Sequence, residues 1–203
     1  RRSYKDVLRR FCITREEVHL DPDEFDLNFY TYGLSVYGNM PLIEPLETRE
    51  SKKIEELALV IDTSYSTSGE LVEQFLRETA NILHQSDSFF ARSVIRVLQC
   101  DNAVRSDAKI TGEQEMEVFL KNFTLLGGGG TDFRPAFSYV NDLLEQGELK
   151  ELAGLLYFTD GKGRYPAKRP DYRTAFLFLE DYDEAAVPPW AMRLLLEKEE
   201  FLN

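Results

Sequence analysis

"ELALVIDTSYSTSGE", residues 56 to 70, decides the reading of this chain. An apolar run, Leu57 to Ile61, ends abruptly in Asp62, and Ser64 and Ser66 follow at alternate positions. Such a run is what a strand buried on both faces looks like. Its polar end has two readings. It is a turn that caps the next helix, or it is half of a cation site. The helix is expected at once: Thr67 and Glu70 form a capping box, and Leu71, Phe75, Ala80 and Ile82 keep close to helical period up to His84.

Working outward, strands and helices alternate. "SVIRVLQC" (93–100) reads as a strand, and "NAVRSDAKI" (102–110) as its hairpin partner. "GEQEMEVFLKNF" (112–123) is a helix, "LLGGGGTDF" (125–133) a glycine loop, and "RPAFSYVNDLLEQGE" (134–148) a further helix. "AGLLYFTDG" (153–161) is a strand ending in Asp160, and "TAFLFLE" (174–180) is another. In "VPPWAMRLLLEKEE" (187–200), Trp190, Met192, Leu194 and Leu196 alternate, which favours a closing strand. The pattern predicts an α/β fold over residues 51–203: a doubly wound, mostly parallel sheet with helices on both faces. Residues 1–50 read as a helical arm that packs on this domain. Tyr4, Val7, Leu8 and Phe11 have helical spacing; "DPDEF" (21–25) offers a helix start with Asp21 as cap and Pro22 in the first turn; two prolines in "NMPLIEPLE" (39–47) end the arm.

Composition bounds the function. The chain carries 36 acidic against 24 basic residues, a net charge of −12. That balance argues against nucleic acid or an anionic membrane as the main partner, because both are bound through Lys and Arg. It suits a cation or a basic protein surface. No apolar run approaches the ~20 residues of a membrane span. Cys12 and Cys100 form neither a CxxC pair nor a disulfide framework, so a reducing cytoplasm is the expected compartment. With two histidines and no HExxH, zinc is not expected. The chain opens on Arg1 and reads as part of a longer protein.

Ligands of doubly wound sheets sit at the carboxyl ends of the strands. Three polar clusters fall there: Asp62, Ser64 and Ser66; Thr131 after Gly127 to Gly130; and Asp160. Oxygen donors of this kind suit Mg2+, or Mn2+ or Ca2+, held at ~2.0–2.1 Å in the case of Mg2+. Ser64, Ser66 and Thr131 would bind directly, and Asp62 and Asp160 would hold water ligands. Each cluster alone also reads as a turn or a cap; their joint occurrence favours the metal.

The motifs "DTSYS" (62–66), "GGGGTD" (127–132) and "FTDG" (158–161) resemble the metal-ion-dependent adhesion site of von Willebrand factor A (VWA) domains. All five ligand positions match: Asp62, Ser64, Ser66, Thr131 and Asp160. "FYTYGLSVYGNMPLIEP" (29–45) and "VPPWAMRLLLE" (187–197) are similar to stretches of a bacterial VWA-like family in which the domain follows a metallopeptidase-like domain. That resemblance implies a Mg2+-dependent protein-binding module and a protein partner, with a MoxR-class AAA ATPase as one candidate. Tyr65 stands where many such sites have a small residue, which bears on access to the metal.

Two other functions are compatible with these residues. One is metal-assisted phosphoryl transfer or hydrolysis. Against it, "DTSYS" lacks the second aspartate of a DxDxT motif and "LGGGGTD" lacks a P-loop lysine. The other is a structural VWA-like domain without metal. A basic loop, Lys162, Arg164, Lys168 and Arg169, follows Asp160 and is expected at the same sheet edge.

Overall fold

A computed structural model describes residues 4, 8, 15–25, 27–38, 45–52, 56–64, 69–84, 94–179 and 182–196. The chain forms two compact units, residues 14–53 and residues 1–13 with 54–203.

The larger unit is built on a six-stranded sheet. Its strands are β3 (Glu56–Asp62), β4 (Val94–Cys100), β5 (Val104–Ile110), β6 (Leu152–Thr159), β7 (Arg173–Phe178) and β8 (Met192–Leu195), in the order β5-β4-β3-β6-β7-β8. All neighbours run parallel except the β4–β5 hairpin. The chain leaves β3 towards β4 on one side and returns to β6 on the other. The order therefore reverses between β3 and β6, where open sheets of this kind form their crevice.

The central strand explains the layering. Successive side chains of a strand point to opposite faces. Leu57, Leu59 and Ile61 accordingly join the core under α2 (Gly69–His84) and α3 (Glu113–Lys121), with Val72, Phe75, Leu76 and Met116. Ala58 and Val60 join the opposite core under α4 (Arg134–Glu145), with Phe133, Ala136, Phe137 and Val140. Every residue of β3 is buried, as its continuous apolar run requires. The expected α/β fold, with helices on both faces and a closing strand β8, is what the chain adopts.

Tyr4 and Leu8 are buried in the α2 core, and the Tyr4 hydroxyl lies 2.6 Å from Thr79 Oγ1. The start of the chain therefore goes with the α/β unit.

The smaller unit departs from the helical arm expected over residues 1–50. It pairs β1 (Arg15–Phe25) with β2 (Pro45–Lys52) in an antiparallel ribbon, and one helix, α1 (Leu27–Tyr37), lies between them in sequence. The predicted helix start at Asp21 instead lies within a strand. Pro22 sits where the register shifts, between Asp21 and Phe25. A proline fits there because it has no N–H to give to the ladder.

The basic loop also departs from expectation. Because β6 and β7 are parallel, residues 161–172 must run from the carboxyl end of one to the amino end of the other. Tyr165 packs against Phe176 on the way and Tyr172 is buried. Only the stretch from Lys162 to Arg164 stays at the carboxyl edge; Lys168 and Arg169 belong to the descending part.

Candidate metal centre

Asp62 closes β3 and Asp160 follows β6, so two carboxylates meet at the reversal point of the sheet. Asp62 is 0% exposed and Asp160 3%. Asp62 is fixed from both sides: Ser64 N donates to its Oδ1 at 2.9 Å, and Thr159 Oγ1 donates to its Oδ2 at 2.5 Å. Gly161 N in turn donates to Thr159 Oγ1 at 3.0 Å. Burial pushes the Asp62 carboxyl above the ordinary carboxylate range, and the charge of Asp160 acts the same way, against the hydrogen bonds from Thr159 and Ser64.

The glycine loop is stitched to this edge at three points. Gly128 N donates to the Thr63 carbonyl at 2.8 Å. Gly127, at φ 132°, lies so close to Thr63 that a Cβ would overlap Thr63 Oγ1. Gly129 N donates at 3.1 Å to Asp101 Oδ2, beyond the end of β4. Asp101 is itself held by Ala103 N and by the Arg105 guanidinium. The loop thereby delivers Thr131 beside the segment after β6. A Cβ on Gly163 would lie 2.7 Å from Thr131 Cγ2 and 2.6 Å from the ring of Phe133, and Phe133 N donates to Arg164 O. Among the described residues, no hydrogen bond engages the Thr131 hydroxyl. Ser66 and Tyr65 lie outside the described residues, as does Thr67 of the expected capping box.

The donor set fits a hard divalent cation. It consists of carboxylate and hydroxyl oxygens and includes two buried carboxylates, Asp62 and Asp160. With both oxygens of Asp62 already accepting from the protein, this carboxylate suits a role through water. Among the described residues, no three His, Cys, Asp or Glu side chains cluster as a metal site, so any ion here depends on the hydroxyls.

The sequence reading missed Thr159 and Asp101. The first had a signal, a threonine immediately before the strand-end aspartate. The second is also an aspartate after a strand, but it faces the glycine loop. Cys100, buried at 0% exposure, lies below this edge, and burial pushes its thiol up to about 11. In a Cys12→Ser background, Cys100 is expected to stay silent towards a thiol reagent at pH 8 and to react on unfolding, because only the thiolate attacks. Rapid reaction of the native protein would show that this edge opens.

Among curated proteins, none matches this chain. Among solved structures, proximal thread matrix protein 1 of the mussel byssus superposes with TM-score 0.53 at 12% identity, over 70% of this chain and 43% of its own. A von Willebrand factor type A protein from Catenulispora acidiphila matches 68% of this chain and 36% of its own, at 10% identity and TM-score 0.44. This chain thus spans about two fifths of the first of these, and the likeness concerns the fold. The family model described as "VWA-like domain (DUF2201)" matches residues 57–197, from the central strand to just past β8, and the chain belongs to that VWA-like family.

Proposed function

We propose that this chain is a divalent-metal-dependent protein-binding module. VWA-like domains commonly mediate protein interactions, and the finer claim here is the metal. Ser64 and Thr131, with Ser66, would hold Mg2+, Mn2+ or Ca2+ directly. Asp62 and Asp160 would hold its water ligands and balance its charge. A carboxylate from a partner protein would take the remaining position. The observation that carries this reading is the pair Asp62 and Asp160, both buried at the reversal point of the sheet. Burying two carboxylates at one sheet edge is costly, and the exposed Lys162, 3.8 Å from Asp160, offsets only part of that cost; a divalent cation between the two would offset more. The partner is a protein by this chemistry; a MoxR-class AAA ATPase and an upstream metallopeptidase-like domain follow from the family resemblance alone. Phosphoryl transfer is less well supported, since an Asp62 that is 0% exposed and tied at both oxygens is poorly placed to act as a nucleophile.

The test is a thermal melt with chelator, Mg2+ or Mn2+. A ligand of the native state at 100 times its Kd adds about 2.7 kcal/mol. For a chain of this size the melting point is expected to rise by about 5–10 °C. No shift at millimolar concentration of either ion would remove the metal from this account.

A further inference from the structure

Lys162 stands two residues beyond Asp160, and its backbone N–H donates to Asp160 Oδ1 at 3.0 Å. Its Nζ lies 3.8 Å from Asp160 Oδ2. The two ends of this contact differ: the Asp160 side chain is 4% exposed and that of Lys162 is 67% exposed. Two other carboxylates at the same edge are held more tightly. Arg105 reaches Asp101 at 2.8 Å, and Arg134 reaches Asp132 at 2.6 Å and again through its Nε. Lys162 approaches Asp160 at more than hydrogen-bond distance, on a flexible and largely exposed stem. An ammonium is a compact, strongly hydrated charge that can swing away, whereas a guanidinium grips a carboxylate at two points.

We propose that Lys162 is a resident counter-ion that a divalent cation must displace from Asp160, so that this lysine sets the metal affinity of the centre. The inference rests on the metal-binding reading above. Without metal, the ammonium offsets part of the charge of Asp160, beside buried Asp62. With metal, it faces a divalent ion across the same carboxylate, and the two repel. A unit charge several ångströms from a divalent ion weakens binding about tenfold in a water-like medium. Salt reduces that repulsion, because Lys162 is exposed.

The experiment compares native protein, Lys162→Gln and Lys162→Arg by titration calorimetry with Mn2+ and Mg2+, and by melts with and without the ions. Lys162→Gln is expected to lower the metal-free melting point slightly and to tighten the metal about tenfold at low salt, with a smaller gain at high salt. Lys162→Arg is expected to bind as weakly as the native protein or more weakly. Metal binding by Lys162→Gln alone would support the displacement most strongly. Native and Gln forms of equal affinity would overturn it, as would a lower melting point with unchanged affinity, which marks a plain surface ion pair. If none of the three binds metal, the metal reading fails along with it; if all bind alike, only the role of Lys162 fails.

Discussion

Gly127→Ala is expected to cost about 3–4 kcal/mol, a fall in melting point of about 6–16 °C. Two separate causes add. Gly127 has φ 132°, a conformation that residues with a Cβ rarely adopt. The new Cβ would also overlap the Thr63 hydroxyl and approach Thr63 Cβ and its carbonyl oxygen at 3.1 Å. Thr63 is 1% exposed and lies between Asp62 and Ser64, so it has nowhere to move without shifting both. The neighbouring glycines separate the causes. Gly128 has φ 105° but open space around it, so Gly128→Ala should show the backbone cost alone, about 1–2 kcal/mol. Gly130 has neither a positive φ nor a neighbour within 4 Å, and Gly130→Ala is expected within about 0.5 kcal/mol of the native protein. Denaturant unfolding of the three variants measures the series. Equal losses for Gly127→Ala and Gly128→Ala would mean that contact with Thr63 is not what fixes the loop.

This graded behaviour bears on how much the sequence disclosed. Four glycines in a row announce a loop, but they do not say which one is pressed against Thr63. The sheet was more legible. Its central strands are buried on both faces, so Leu57 to Ile61, Leu155 to Phe158 and Ala175 to Phe178 read as apolar runs whatever surrounds them. The helices α2 and α4 carry one apolar stripe each, which periodicity detects. Residues 15–25 and 45–52 were misread because their ribbon lacks such a stripe, whereas the helix at Leu27–Tyr37 falls within the expected arm. Residues 15–20, "REEVHL", alternate only in their second half, and "DPDEF" looks like a helix start when nothing shows that it pairs with Pro45 and Leu46. Register between distant segments is not written in local propensity. The same limit applies at the centre. The strand-end aspartates were visible, whereas the hydroxyl of Thr159 on Asp62 and the grip of Asp101 on Gly129 depend on which strands are neighbours. The basic loop failed for a topological reason: its charges were read together, but a parallel crossover carries Lys168 and Arg169 away from Lys162.

Asp62→Asn is expected to separate the two meanings of the strand-end motif. If Asp62 serves a cation, the metal-free variant should unfold within about 1 kcal/mol of the native protein. Burial and Asp160 both disfavour the charge of Asp62, so a neutral side chain of the same shape relieves a cost while it weakens the bonds from Ser64 N and Thr159 Oγ1. Its metal affinity, by contrast, should fall about 10- to 100-fold, the usual loss when an outer-sphere carboxylate is removed. Asp62→Ala should do both kinds of damage, because the Thr159 hydroxyl and the Ser64 N–H lose a buried acceptor at about 1–3 kcal/mol each. The informative quantity is the difference between the two variants, read as melting points in chelator and in Mg2+. If Asp62 is only a turn that anchors Ser64 N and Thr159, a different pattern must appear. Asn would then lose stability in chelator nearly as Ala does, and Mg2+ would shift native protein and Asn variant alike. That pattern would return Asp62 to the role of a cap.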